Sequence, residues 1–389
     1  MDGSDALSFQ VLGGLKEIAR ADWDKLANPR DQPFDPFLSW DFLQALEESG
    51  CVSARNGWAP AHLIARDVTG AAVGAMPMYA KGHSYGEYVF DHAWADAFER
   101  AGGRYYPKLQ CAVPFTPVPG RRLLARDSDV CDALARAVTG VAQRMNASSV
   151  HVTFAPSETA EALRAHRYLV RTGIQYHWFN RGYSNFADFL ADLSSQKRKS
   201  IRRERTRARE GLTIKRLRGG EIKERDWDFF FRCYMDTGSR KWGSPYLNRE
   251  FFSLLGERMS DACVLLVAEF EGRPIASALN LIGGDALYGR YWGRIVDVPF
   301  LHFELCYYQA IDLAIELGLP RVEAGAQGEH KLARGYVPAQ TFSAHWIAHP
   351  GLRTAIANYL HAETPAIVEE AEMLAEHAPF RKRDDRSAC

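Results

Sequence analysis

One stretch concentrates groups able to move protons and steady charge. Gly325 to Tyr336 reads GAQGEHKLARGY and follows a short apolar segment with strand character. Gly325 and Gly328 let the main chain turn sharply. Gln327, Glu329, His330 and Lys331 then crowd a few positions, a density that suits a substrate-facing loop after a buried strand. Glu329 or His330 can act as general base, and Lys331 can steady developing negative charge; the bland reading is a solvated polar loop. A second concentration lies between His83 and Lys108, where Glu87, Asp91, Trp94, Tyr106 and Lys108 mix acids with aromatic rings. Such a mixture suits recognition of an amine at a cleft. His83, Asp91 and His92 match no standard metal-ligand spacing, so no metal is expected.

A third feature is the run Gln196–Glu210, with basic side chains at Lys197, Arg198, Lys199, Arg202, Arg203, Arg205, Arg207 and Arg209. Leu193, Ile201, Ala208 and Leu212 form a narrow apolar stripe at helical spacing. A helix seated on that stripe would present a cationic face to phosphates of tRNA, of coenzyme A or of anionic lipid. GxSxG, Walker, GxGxxG and CxxC patterns are missing from the sequence, so serine-hydrolase, P-loop and dinucleotide readings have no support.

The elements that must position these groups occur twice. In the first half, Ser39 caps an apolar helix. The strands AHLIARD and AVGAMPMY then flank a turn at Thr69-Gly70, an insert runs over 81–108, and the strand LQCAVPF follows. A helix from near Asp129 to Met145, the strand SVHVTFA and the closing strand GIQYHWF complete that half. In the second half, Asn248 caps NREFFSLLGERM. The strands CVLLVAEF, PIASALNLI and LYGRYWG lead to a helix from about Leu301 to a stop at Gly318. RVEAG and the closing strand TFSAHWIA end the half. Both closing strands carry His-Trp, at His177-Trp178 and His345-Trp346.

This order, helices, antiparallel meander, helix, strand, last strand, is that of the GNAT acyltransferase fold. It predicts an α+β chain with two tandem GNAT-type domains, each a mixed central sheet flanked by helices. The expected division is 1–180, with the insert 81–108, then 181–362, with the basic helix 196–210, then a helical, mobile tail 363–389.

Composition sets the outer limits. The chain has 389 residues, enough for two domains of ordinary size. Lysine plus arginine equals aspartate plus glutamate at 48 each, so an anionic partner must be held by a local patch. The seven cysteines are scattered and odd in number, which predicts reduced thiols and a cytoplasmic setting. No apolar run has the length of a membrane span, and the acidic start has no signal-peptide character.

Several segments resemble the FemAB-like acyltransferases. They are PFLSWDFLQALEESG, HSYGEYVFDHAWADAFERAGGRYYPKL, AVPFTPVPGRRLL, KWGSPYL, FLHFELCYYQAIDLAIELG and EAGAQGEHKLARGY. The resemblance runs from Pro36 to about Ala348 and implies transfer of an acyl or aminoacyl group to the amine of a small molecule or peptide. It implies no permanently bound cofactor. The donor is a co-substrate, acyl-CoA as in ordinary GNAT enzymes or aminoacyl-tRNA as in the peptidoglycan-modifying relatives. In the GNAT scheme the loop after the fourth strand turns its N–H groups onto the donor pyrophosphate. Thr116–Leu123 fits that place, with Gly120 freeing the turn and Arg121 and Arg122 facing phosphate oxygens, while Lys197, Arg198 and Arg202 supply further phosphate contacts. The equivalent stretch of the second half, VDVPFLHFEL, has no glycine. That leaves room for an inactive copy, and for a second reading in which the pair of domains binds a ligand or RNA without chemistry. Oligomeric state is silent in the sequence.

Overall fold

The structure is a computed structural model describing residues 7–240, 245–325 and 328–381, apart from the side chains of Ser239, Arg240 and Glu329. Contacts divide the chain into two compact units. The first holds residues 1–173, 246–259 and 340–368, and the second 174–245, 260–339 and 369–389. Compactness and duplication are different divisions, so these units and the halves expected from element order need not coincide.

The first unit has two sheets. One is ordered β1 (Ser8–Leu12), β3 (His62–Arg66), β4 (Ala72–Met76) and β7 (Leu124–Ala125), all antiparallel. The other runs β15 (Val337–Ile347), β8 (Ser149–Ala155), β6 (Lys108–Cys111), β5 (Met78–Lys81) and β2 (Trp58–Pro60), with β6 and β8 parallel. The helix Ser128–Arg144 lays Val130, Leu134, Val138 and Val141 on the core. These positions follow the three-to-four-residue spacing of one helix face. Asp127 caps it by accepting from Val130 N at 2.9 Å. Ser39 likewise caps Trp40–Glu48, and Asn248 caps Arg249–Arg258.

The second unit holds one sheet, ordered β10 (Leu212–Arg218), β11 (Cys263–Phe270), β12 (Arg273–Ile282), β13 (Ala286–Arg294), β14 (Arg321–Glu323) and β9 (Leu169–Phe179). The first four strands form an antiparallel meander, and β13 and β14 are parallel. A parallel pair needs a crossover, supplied here by the continuous helical stretch 301–316. The closing strands trade places. His177–Phe179 of β9 pairs with β14 in the second unit, and residues 342–347 of β15 pair with β8 in the first. The sequence shows both His-Trp strands but not which sheet each completes, because both satisfy the same alternation.

The insert 81–108 contains a helix, His92–Arg100. The strand expected over LQCAVPF is limited to Lys108–Cys111, and the following prolines Pro114, Pro117 and Pro119 cannot donate to a ladder. The helix Pro350–Glu376 runs through position 363, so residues 363–376 extend a helix begun earlier. No described helix is long and apolar enough to cross a membrane.

Candidate active site

In the second unit, β12 and β13 pair with a register shift. Leu279 faces Tyr291 and Asn280 faces Gly289, which leaves Arg290 as an extra residue on β13. A bulge of this kind bends the strand and re-aims side chains, and is over-represented beside active sites. The helical crossover carries a second irregularity, a π-turn over Glu304–Tyr308. Such turns widen a helix locally and often mark functional positions. Bulge and π-turn border the same pocket of about 210 Å³, lined by Asn280, Arg290, Tyr291, Trp292, Tyr307 and Lys331 among others.

The three expected catalytic positions start a 3-10 helix, Glu329–Arg334. His330 lines the pocket, its Nε2 2.8 Å from the Tyr307 hydroxyl. Burial pushes the Tyr307 phenol well above its ordinary range, so it stays protonated at neutral pH. Lys331 is buried and lines the same pocket, and its Nζ donates to the carbonyl of Gly325 at 2.7 Å. The side chain of Glu329 and the whole of Gln327 lie outside the described residues. His302 packs its ring 4.7 Å from Trp292 at the pocket wall.

Behind the pocket, His177 on β9 lies 3.9 Å from Glu323 Oε2, opposite it on the paired strand. Burial, with Arg321 and Lys331 nearby, lowers its pKa to about 3. The imidazole is therefore neutral, and the approach to Glu323 is not an ion pair.

The basic helix Ser195–Arg209 buries Ile201 and Ala208, as the apolar stripe implies, and buries Glu204 with them. Not all of its cations are free. Arg205 and Arg209 grip the fully buried Glu304 at 3.1 and 2.6 Å, and Arg205 also reaches Asp312 at 2.6 Å. Arg334 closes on Glu204 at 3.0 Å. Lys199, Arg202, Arg203 and Arg207 are exposed, and Lys197 and Arg198 half-buried. Among the described residues Lys197, Arg198, Lys199, Arg202 and Arg203 meet no carboxylate. Arg207 lies over the Phe300 ring, so five of the eight basic residues remain for an outside anion.

The loop Thr116–Leu123 is held by its own side-chain hydrogen bonds. Arg122 is buried and donates to the carbonyls of Thr153 (2.9 Å), Arg121 (2.9 Å) and Val118 (2.6 Å). Arg121 donates to Leu26 O at 3.2 Å and to Ala27 O, and the Gly120 amide bonds Phe154 O at 2.9 Å. These donors serve main-chain carbonyls that would otherwise be buried unpaired. The loop is tied down by its arginines, and the Arg122 guanidinium faces inward.

The five remaining substrate candidates do converge, but as a buried internal network in the first unit. Lys108 Nζ donates to Asp91 Oδ2 (2.6 Å), Glu87 Oε2 (2.7 Å) and Ser84 Oγ (2.9 Å). Tyr105 also donates to Asp91 Oδ2, at 2.7 Å. Tyr106 bonds Ser84 at 2.8 Å, and Trp94 packs edge-on against His345. Burial pushes Glu87 up to about 7 and Lys81 down to about 7. The burial penalty on Asp91 is outweighed by Lys108 and His151, which hold its carboxyl low. His151 and His345 meet Nδ1 to Nδ1 at 2.7 Å. Charges this deep pair with one another, because an unpaired one would cost too much. Their geometry is that of a network holding the insert to the sheet.

Sequence reading missed Asn280, Tyr307 and the bulged Arg290. Asn280 left a trace, being the one polar amide in the apolar run PIASALNLI. The bulge left none, since it arises from pairing.

The family model described as peptidoglycan biosynthesis/recognition, FemAB-like, matches residues 14–382. The chain belongs to the FemAB-like family. It is thereby a member of a GNAT-fold acyltransferase family. Among solved structures it is similar to FemX at 10% identity and TM-score 0.56, over 87% of this chain and 98% of that one. It is similar to the C-terminal domain of a putative lysylphosphatidylglycerol synthetase from Agrobacterium fabrum, at 8% identity and TM-score 0.52, over 86% and 94%. A conserved protein of unknown function from Bacteroides thetaiotaomicron matches at 12% identity and TM-score 0.53, over 88% and 100%. At such identities these likenesses show the fold: α+β, with tandem GNAT-type domains. Comparison with curated proteins gives no match.

Proposed function

We propose that this FemAB-like chain is an N-acyltransferase, moving an acyl or aminoacyl group onto the amine of a small molecule or peptide in the second unit's pocket. The observation that carries this reading is the convergence of Lys331, the His330–Tyr307 pair and the bulged strand β13 on one cavity.

The amine nitrogen attacks the donor carbonyl, forming an N–C bond and an oxyanion. His330 takes one ammonium proton and passes it to water. Lys331 and main-chain N–H groups steady the oxyanion. As the C–S or C–O bond breaks, Tyr307, protonated and bonded to His330, supplies a proton to the leaving sulfur or oxygen and is recharged from the amine. Glu329 is the alternative base by its place in sequence.

Two features favour aminoacyl-tRNA over acyl-CoA as donor. The stretch before the crossover, 295–300, has no glycine and contains Pro299, which has no N–H to offer a pyrophosphate. The basic helix, packed beside the crossover and the 3-10 helix, keeps five cations available to a long polyanion. The named activity of the A. fabrum relative, lysylphosphatidylglycerol synthesis, is also an aminoacyl transfer.

The test is transfer of radiolabel from charged tRNA and from acetyl-CoA to a panel of amines, with parent protein, Lys331→Met and His330→Gln. The expected result is turnover with one donor that falls about 10²- to 10³-fold in Lys331→Met. Donor binding without turnover in the parent would instead establish a ligand- or RNA-binding module.

A further inference from the structure

Asn280 lies on β12 where β13 bulges. It is 1% exposed, and neither Oδ1 nor Nδ2 has a hydrogen-bond partner among the described residues. Buried carboxamides are nearly always paired, because an unmade bond costs the full desolvation of the group. The side chain nevertheless borders a cavity, together with Tyr291, Trp292, Tyr307 and Lys331. The residue facing it across the ladder is Gly289, where an added Cβ would come within 3.4 Å of Asn280 Oδ1. A buried donor and acceptor, side by side and unused, fit a partner that arrives with the substrate.

We infer that Asn280 is a specificity-determining residue that reads the N–H and C=O of an amide-bearing segment in the ligand of this pocket, an inference that rests on the pocket being the transferase site. A carboxamide presents one acceptor and one donor and carries no charge. Its complement is an N–H and a C=O on one edge; in a trans amide the two point apart, so neighbouring amides of one short segment supply them. A carboxylate fills only the donor half and an ammonium only the acceptor half. The aromatic walls suit the flat faces of such a group, and a cavity of about 210 Å³ takes a short amide-bearing segment. Such an amide has two sources, the pantetheine arm of an acyl-CoA donor and the backbone of a peptide-like amine acceptor.

The experiment is calorimetric titration of the full chain, parent and Asn280→Leu, with acetyl-CoA and separately with glycyl-glycinamide. Melting temperatures are recorded for both proteins. For one probe, Asn280→Leu weakens binding by about 10- to 100-fold, and the probe affected identifies the source. The variant melts at the same temperature as the parent or higher, because leucine removes two unmade hydrogen bonds. Equal binding of both probes by parent and variant overturns the inference, as does failure of the parent to bind either at millimolar concentration. A lower melting temperature also overturns it, since the carboxamide would then be structural. The transferase reading fails separately, if a probe binds through Asn280 and no turnover follows.

Discussion

Acidification tests the second unit through one side chain. His177 is buried on β9 with Arg321 and Lys331 near it, and its pKa is held at about 3 against an ordinary 6.5. Between those values the unfolded chain binds a proton that the folded chain refuses. Stability therefore rises with pH across this window, is complete above 6.5 and is lost as pH falls below it. At pH 5 the unfolded histidine is 1.5 units below its own pKa, and at about 1.36 kcal/mol per unit the loss is about 2 kcal/mol. Other groups titrate over the same range, so the informative quantity is a difference. Parent and His177→Gln are unfolded in urea at pH 7 and pH 5, with signals assigned to the second unit. The parent should lose about 2 kcal/mol more than the variant over this interval. Equal losses would mean that His177 takes its proton in the folded state. The burial argument, and with it the neutral imidazole behind Lys331, would then be wrong.

Other outcomes follow from the same contacts. Arg122→Met leaves the carbonyls of Thr153 and Val118 without their donor and should destabilise the first unit by about 2–4 kcal/mol in urea unfolding. Donor affinity of the protein that remains folded should not change, since the guanidinium faces inward. Glu304→Gln removes the buried carboxylate from Arg205, which keeps Asp312, and from the half-exposed Arg209, and should cost about 1–3 kcal/mol. A stability equal to the parent's would show that the cluster is solvated. If tRNA is the donor carrier, replacing Lys197, Lys199 and Arg203 by alanine should lower the slope of log K against log salt by about 2 to 3, as three phosphate contacts require. An unchanged slope in filter binding would remove the basic helix from the interface.

Much of the fold was legible because local rules write it. The caps at Ser39 and Asn248 and the Gly318 stop follow from main-chain groups that a helix end must satisfy, so a single residue type betrays them. The meander from Cys263 to Arg294 followed from alternation and turn glycines. Part of the site was legible too. His330 and Lys331 stood out as polar groups packed behind a strand, and both line the pocket. The cations of the basic run were visible as charge, but not which of them were spoken for. Arg205 and Arg209 find Glu304 roughly a hundred residues away, whereas Lys199 and Arg203 find no carboxylate.

By itself, then, the sequence determined the duplicated element order, the family and the loop that carries the polar residues, all set by near-neighbour chemistry and periodicity. Only the tertiary structure decided what each polar group faces. It turned Arg122 inward onto carbonyls and locked Glu87, Asp91 and Lys108 to one another. It left the Asn280 carboxamide unpaired at a cavity and assigned the two closing strands to their sheets. The physical reason is that a charge or an amide is satisfied by whatever lies within about 3 Å of it. Which group that is depends on strand register and crossover, which bring together residues that no local pattern relates.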